Sequence, residues 1–224
     1  MTEETKITLS PKELDLVCNT DWILTKQAII AKVYDLFGMS AEKMTQMIKA
    51  GNTSISSQLG EVSPKIARGE NYQQLPYVIL DYPRIFGKEN TLAIRTMFWW
   101  GNFFSVTLQL SGSYKARSTA HIIARFHELR QRNYWICIHP DPWQHHFEED
   151  NYVQLGKLKQ EEFADILQRN PFLKMAIKWP LSDWSAVPTF IEESFKEMIG
   201  LIETSYPGGE KGLSPGIPTT DFGL

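Results

Sequence analysis

The sequence predicts an α+β fold: a mixed, mostly antiparallel sheet with a central β-hairpin at Leu92–Ser111, packed by helices. Two observations lead to this class. Apolar residues recur with helical spacing in the N-terminal part of the chain, and short β-branched and aromatic runs separated by helical stretches follow from Leu75 onward. We expect one domain over residues 1–205, with a helical layer at 10–51 and a sheet-containing part at 75–204, followed by an irregular C-terminal tail at 206–224.

The N-terminal layer is expected to contain three helices. The segment Ser10–Glu13 holds a capping serine, a proline at the first helical position and the glutamate of a capping box. A second helix begins after Asn19 and is expected to end at Gly38, because glycine commonly terminates helices. A third helix is predicted at Ser40–Gly51. The polar stretch Asn52–Glu70 has no clear period and is predicted to be a loop or a partly ordered linker.

The strands and the remaining helices are predicted from the second half of the sequence. The run Tyr77–Tyr82 is apolar and β-branched, and Pro83 is expected to end this strand because proline cannot donate to a ladder. The same two patterns, apolar residues at helical spacing and short β-branched or aromatic runs, predict the other elements. Strands are expected at Thr91–Trp100, Phe103–Ser111, Tyr134–His139 and Leu173–Trp179, and helices near Ala116–Arg132, Gln160–Arg169 and Ala186–Thr204.

The composition excludes several classes of function. A net charge of -3 argues against general attraction to nucleic acid or to an anionic membrane surface. The chain has no run of about 18 apolar residues that could span a membrane, and its acidic start does not resemble a signal peptide. Cys18 and Cys137 are expected to be free, buried thiols, as is typical of a reducing compartment. We therefore expect a cytoplasmic protein with no nucleic-acid and no membrane partner.

The register of the hairpin is predicted from its turn. Gly101 and Asn102 suit a two-residue type II′ turn, because glycine accepts the positive φ of the first central position. Trp100 then faces Phe103, and all opposed pairs follow. One face would carry Ala93, Arg95, Met97, Trp99, Phe104, Val106, Leu108 and Leu110, and the other Ile94, Thr96, Phe98, Trp100, Phe103, Ser105, Thr107 and Gln109.

Arg95 is the one charged residue on the first, apolar face. A buried guanidinium needs a carboxylate partner, and Asp81 in the preceding strand is the nearest candidate, so the sequence predicts an Asp81–Arg95 pair. Two interpretations stay open. The pair is either a structural ion pair or a device that orients an anionic or polar ligand.

The second face of the hairpin has the composition of a small-molecule site. Such sites are mostly apolar with a few placed polar groups. The alternative is a helix or a second subunit packed on the aromatic half. The aromatic side chains are Phe98, Trp100 and Phe103, and the polar ones are Thr96, Ser105 and Thr107.

The densest polar cluster is the stretch 139–150, which follows a predicted strand end, where loops often carry function. In a helical conformation His145 would share a face with Glu149, and His146 with Asp150. A histidine beside a carboxylate serves as a general acid or base, or as a metal ligand. Adjacent histidines without HxxxH or HxH spacing are a weak signal for a metal, and a solvated acidic loop is the simpler alternative.

These residues lead to three hypotheses of function. The first is a cytoplasmic small-molecule-binding domain that uses the second hairpin face together with Asp81 and Arg95. In its enzymatic form His145 or His146 would transfer a proton, and Glu149 or Asp150 would orient the imidazole. The alternatives are a protein–protein or homodimer module that uses the aromatic face, and a metal-dependent hydrolase that uses the same histidines. No GxGxxG or zinc-ribbon motif occurs, so we expect no cofactor.

Overall fold

Within the residues that the structure describes, seven strands form one sheet in which every neighbouring pair is antiparallel. The computed structural model describes residues 7–51 and 54–203, so the predicted tail at 206–224 lies outside the described residues. The strands are β1 (Lys65–Tyr72), β2 (Leu75–Phe86), β3 (Thr91–Trp99), β4 (Phe103–Ser111), β5 (Trp135–Cys137), β6 (Tyr152–Gln154) and β7 (Phe172–Pro180). Their order is β1-β2-β3-β4-β7-β5-β6. The predicted α+β fold class is confirmed.

The helices lie mainly on one side of this sheet. They are α1 (Pro11–Cys18), α2 (Thr20–Ala50), α3 (Ser54–Gly60), α4 (Gly112–Ala124), α5 (Phe126–Gln131), α6 (Gln160–Arg169) and α7 (Val187–Glu203), with short 3₁₀ turns at Leu155–Lys157 and Leu181–Ala186. The capping box predicted for α1 is present, with Ser10 Oγ accepting from the Glu13 backbone N–H. In the described part of the chain, none of the helices combines the length and apolar character that a membrane span needs.

The N-terminal layer differs from the prediction in one respect. Gly38 does not end a helix, because α2 continues through it to Ala50. Phe37, Ala41 and Met44, on both sides of the glycine, are buried in the main core. Their packing outweighs the helix-interior cost of glycine, which is roughly 1 kcal/mol.

The segment before the hairpin also differs from the prediction. The expected loop at Asn52–Glu70 contains α3 and most of β1. Strand β2 does not end at Pro83 but runs on to Phe86, and its pairing with β3 shifts between Asp81 and Arg84. Proline is tolerated at such an irregularity because no ladder hydrogen bond is required there.

The predicted hairpin exists, but its register is wrong by one residue. The loop has three residues rather than two, and Trp99 pairs with Phe103. The Asn102 N–H donates to the Trp99 carbonyl oxygen at 3.0 Å, which makes Gly101 the second central residue of the turn, with φ of 74°. A shift of one residue exchanges the two faces of a strand. Each predicted face of the hairpin therefore combines β3 and β4 residues that lie on opposite faces of the sheet.

The sheet consequently has two different faces. The helix face is packed by α2, α4 and α7, and it contributes fully buried residues such as Ile94, Phe104 and Val106 to the main core. The loop face is covered by residues 138–151, which we call the histidine loop. A second apolar cluster lies beneath this loop, and its buried members are Met97, Trp99, Phe103, Cys137, Phe147, Tyr152, Phe172 and Ala176.

Candidate functional site

An ion pair lies on the loop face, where β2 and β3 place Asp81 and Arg95 directly opposite each other. Arg95 Nε donates to Asp81 Oδ1 at 2.7 Å, and Nη2 donates to Oδ2 at 2.8 Å. Only 16% of the arginine side chain and 7% of the aspartate side chain are exposed. The predicted Asp81–Arg95 pair is confirmed, and its two parallel hydrogen bonds fix the plane of the guanidinium.

The histidine loop brings His145 against the other side of this guanidinium. Arg95 Nη1 lies 3.1 Å from His145 Nε2. Arginine has no acceptor, so Nε2 accepts this hydrogen bond and Nδ1 carries the proton of the imidazole. Burial lowers the pKa of His145 well below its ordinary value, and the charges of Lys174, Arg95 and His146 lower it further. His145 is therefore neutral at pH 7.

Tyr72, at the end of β1, fixes the position of the loop. Its hydroxyl oxygen accepts the backbone N–H groups of His145 at 2.6 Å and His146 at 3.0 Å. The same oxygen lies 3.0 Å from His146 Nδ1. With both of its lone pairs already engaged, the hydroxyl donates its own proton to this nitrogen. One tyrosine thus holds two consecutive residues of the loop.

The second histidine belongs to this anchor. His146 is 6% exposed, and its Nε2 lies 3.2 Å from Asp150 Oδ1, so the predicted His146–Asp150 neighbours do meet. The predicted partnership of His145 with Glu149 does not form. Glu149 is 96% exposed and lies 3.8 Å from Lys157. Of the two histidines, only His145 borders the ion pair.

A buried lysine lies under the loop. Lys174 on β7 is 1% exposed, its ammonium group donates to the Gln144 carbonyl oxygen, and it lies 5.2 Å from the centre of the Tyr152 ring. Burial is the main cause that lowers its pKa to about 8, and the charge of Arg95 adds to this effect. Burial also raises the pKa of the neighbouring Cys137 thiol.

One half-exposed aromatic ring lies against Arg95, and a second half-exposed ring packs against the first. The Trp143 ring lies 5.6 Å from Arg95 Cζ and 5.9 Å from the Phe86 ring. Trp143 is 50% exposed and Phe86 is 45% exposed. Large aromatic side chains with this much exposure are characteristic of binding surfaces. Arg95 thus lies beside an accessible apolar wall.

Another cation lies on the loop face, over the second apolar cluster. Lys178 Nζ is 5.0 Å from the ring centres of Trp135 and Phe147 and 5.5 Å from that of Phe103. A cation at these distances is attracted to the ring faces. Arg95, Lys174 and Lys178 are the cations of this face, while Asp81 on the sheet and Asp141 and Asp150 in the histidine loop are anions.

The other predicted site residues do not form one pocket. Phe98 and Thr96 lie on the helix face and are buried there. Phe103, Ser105 and Thr107 lie on the loop face but are buried beneath the histidine loop. The pocket predicted from these five residues is wrong because it depended on the two-residue turn.

Trp100 lies in the hairpin loop and is partly buried. Its ring makes edge contacts with Trp22 at 6.3 Å and with Phe98 at 6.0 Å between ring centres. Because Phe98 and Phe103 are buried within the chain on opposite faces, the aromatic hairpin face is not available as the interaction surface that the sequence predicted.

Sequence reasoning missed Tyr72, Lys174 and Trp143 as members of the site. Lys174 and Lys178 did leave a signal, because two lysines four residues apart in an apolar strand lie on the same face. Tyr72 left none. The turn that follows it consists of Gln73 and Gln74, both with positive φ, and lacks the glycine or asparagine that normally marks a hairpin.

A metal site is the arrangement that the third hypothesis requires. Within residues 7–51 and 54–203, no three His, Cys, Asp or Glu side chains come together as a metal site would need. The metal-hydrolase alternative therefore has no ligand set in this part of the chain.

Comparisons with known proteins assign no family to the chain. No protein-family model, no curated protein and no solved structure matches it. Any proposal of function therefore depends on the chemistry of the residues around Arg95.

Proposed function

We propose that the chain binds a small anionic molecule, a carboxylate or phosphate with an apolar body, at Arg95. We call Tyr72, Asp81, Arg95, Trp143 and His145 the Arg95 site. One observation carries the proposal. Asp81 and His145 take three of the five N–H groups of the guanidinium, and the other two donate to nothing in the described residues. Arginine held in this way presents N–H groups to a planar oxyanion.

One further cation near Arg95 supports an anionic ligand. Asp81 neutralises Arg95, and Lys174 on the same face of the sheet is close enough for its charge to act on His145. Lys174, with a pKa lowered to about 8, is still mostly protonated at pH 7. His145 is neutral and adds no competing charge. Cations close to a partly desolvated site raise the local concentration of an anionic ligand.

The aromatic residues support the apolar part of the ligand. Trp143 and Phe86 form a pair of half-exposed rings beside the guanidinium. Packing a flat apolar group against these rings removes apolar surface from water and adds ring–ring contact. A ligand with an aromatic ring and a carboxylate would satisfy the rings and Arg95 together.

A proton transfer on the bound molecule would use His145. Its Nε2 accepts the Arg95 Nη1 N–H, so it can take a proton from a bound molecule only after the ligand oxyanion replaces it as the acceptor of that N–H. His146 is unsuited to the same task because both of its ring nitrogens are engaged, by Tyr72 and by Asp150. The enzymatic form of the proposal therefore names His145 as the base and does not require Glu149.

Calorimetry with benzoate, phenyl phosphate and neutral benzamide tests the proposal. We expect the two anions to bind and to raise the Tm, and benzamide to do neither. Arg95→Lys keeps the charge but loses the planar fork, so it should weaken binding at least tenfold, about 1.4 kcal/mol. Trp143→Ala should weaken binding without affecting the fold, because half of its side chain is already exposed.

Trp184→Ala is the matched control, since Trp184 is 37% exposed but packs against Phe98 and Phe104 on the helix face. Its affinity for benzoate should equal that of the wild type. Two results would contradict the proposal: neither anion binds the wild-type protein, or both bind Arg95→Lys and Trp143→Ala as tightly as the wild type.

A further inference from the structure

The N-terminal arm, residues 7–25, has an unusual surface. Every residue in it is exposed, and α1 contributes no buried residue. Monomeric proteins rarely expose so much contiguous apolar surface. The exposed large apolar side chains of the arm are Ile7, Leu9, Leu14, Leu16, Val17, Trp22, Ile23 and Leu24.

A groove between α2 and α7 offers a complementary surface on the same chain. Its lining is mainly apolar and rich in methionine, with Met39, Met44, Met47 and Pro188 among its residues. Met39 is 58% exposed. Flexible thioether side chains adapt to an apolar helix, and methionine-rich grooves are used in this way for binding amphipathic helices.

The arm cannot place α1 in the groove of its own chain. The groove begins at Leu36, which lies 16 residues along α2 from Thr20, or about 24 Å at the rise of an α-helix. Leu14 precedes Asn19 by five residues, so folding α1 back along α2 would carry it only about 8 Å. A second chain can supply α1 where the first chain cannot.

We propose that the protein forms a homodimer in which α1 of each copy occupies the α2–α7 groove of the other. Leu14 and Val17 are three residues apart and share one face of α1. Reciprocal insertion is self-complementary and closes with two-fold symmetry.

The charges at the rim of the groove suit the same occupant. Lys43 and Glu192 form an exposed ion pair there, with Nζ and Oε2 2.7 Å apart. At α-helical spacing Glu13 flanks the face of Leu14 and Val17, whereas Lys12 lies on the opposite side of α1. The Lys43 cation at the rim is complementary to this acidic flank.

Sedimentation velocity on the full chain over micromolar concentrations is the first test. We expect a species of twice the monomer mass. Leu14→Lys/Val17→Lys in the arm and Met39→Glu in the groove should each convert it to the monomer. All three residues are exposed, so these variants should keep the wild-type circular dichroism spectrum. Lys32→Gln, exposed on α2 but outside arm and groove, should stay dimeric.

A disulfide between the two surfaces is the second test. Cys18 on α1 is exposed and free, and Met39→Cys would place a second thiol in the groove. Within one chain these positions are separated by nearly the whole stretch from Thr20 to Met39, about 28 Å of helix, whereas a disulfide needs Cα atoms within about 7 Å. Mild oxidation of Met39→Cys should therefore give covalent dimers that the added change Cys18→Ser abolishes. Lys157→Cys, outside the groove, should not give them.

Three results would overturn the proposal. One is a wild-type protein that is monomeric throughout the concentration range. Another is a dimer that survives both the arm and the groove variants, which would place the interface elsewhere. The third is a dimer that is lost with Leu14→Lys/Val17→Lys but kept with Met39→Glu, and in which Met39→Cys forms no disulfide with Cys18. In that case the arms pair with each other and something else covers the groove.

Discussion

The helix face of the sheet is closed by apolar packing, whereas the loop face is closed by hydrogen bonds and charged groups above a smaller apolar cluster. On the helix face Phe104, Val106 and Leu108 are fully buried against helices. On the loop face, hydrogen bonds of Tyr72 and Arg95 with His145 and His146 hold the histidine loop in place. Apolar packing is non-directional, while a polar network specifies one geometry.

This difference explains why the candidate site lies on the loop face. A loop held by a few side chains can move with respect to the strands below it, whereas a helix packed over many residues cannot do so without losing core contacts. The loop face also keeps half-exposed rings and unused N–H groups next to the ion pair. Four variants or sets of variants distinguish the two faces experimentally.

The largest expected effect is on the helix face. Phe104→Ala should lower the free energy of unfolding by about 4 kcal/mol, because it leaves a cavity in a fully buried core. Phe147→Ala, in the histidine loop, should cost less, about 3 kcal/mol, since the loop can settle into the space. Urea denaturation measures both values. Equal losses in the two variants would mean that the two faces are packed with equal rigidity.

Breaking the ion pair should have the next largest effect. Asp81→Asn leaves the Arg95 charge with no carboxylate in a mostly buried position, and we expect a loss of about 2 kcal/mol. The double change Asp81→Leu/Arg95→Met removes both charges and should recover most of this loss. Urea denaturation of the two variants tests the pair. A double variant no more stable than Asp81→Asn would show that the pair itself stabilises the loop face.

The third effect is a pH dependence due to His145. Its folded-state pKa is depressed, so below pH 6.5 the unfolded chain takes up a proton that the folded chain refuses, and stability falls as the pH falls. His145→Gln should remove on the order of 1 kcal/mol of the loss between pH 7 and about pH 5. The exposed His127→Gln is the control and should follow the wild-type curve. Parallel curves for all three proteins would contradict the neutral state of His145.

The smallest expected effect concerns the anchor of the loop. Tyr72→Phe removes the hydroxyl that binds the backbone of His145 and His146, at a cost of about 1 kcal/mol. Hydrogen exchange should accelerate at these two amides while amides on the helix face stay unchanged. Tyr77→Phe, in ring contact with Tyr72, is the matched control. Unchanged protection at His145 and His146 would show that other contacts hold the loop.

The sequence predicts much of the fold because most elements have a strong local signal. Helix α6 was predicted with its observed ends, and the start of α7 and both ends of β7 differ from the prediction by one residue. The Asp81–Arg95 pair was predictable because a lone arginine in an apolar strand requires a carboxylate. Helix α2 was divided wrongly at Gly38 because packing against the sheet has no signature in local propensity.

The site was predictable only in part, and one turn accounts for much of the error. A positive φ at Gly101 fits either central position of a turn, so composition alone cannot choose between a loop of two residues and a loop of three. That choice decides whether Phe98 or Trp99 shares a face with Phe103. The placement of His145 over Arg95 depends on contacts between residues 50 positions apart, which no local pattern contains.

The exposure of the Cys18 thiol was also predicted wrongly from the sequence. It was expected to be buried, as free cysteines usually are, but it is exposed on α1. The helix carries enough apolar residues to suggest burial. Within one chain, however, nothing in the described residues covers them.

Side-chain NMR of the full chain during a titration with benzoate tests the central claim most directly, because it reports on each residue of the Arg95 site. The account predicts saturable shifts of the Trp143 indole N–H and of the His145 ring, with the Trp184 indole unchanged and with at least tenfold more benzoate needed to produce the shifts in Arg95→Lys. Shifts confined to residues outside the Arg95 site, or no saturable shift at Trp143 and His145, would contradict it.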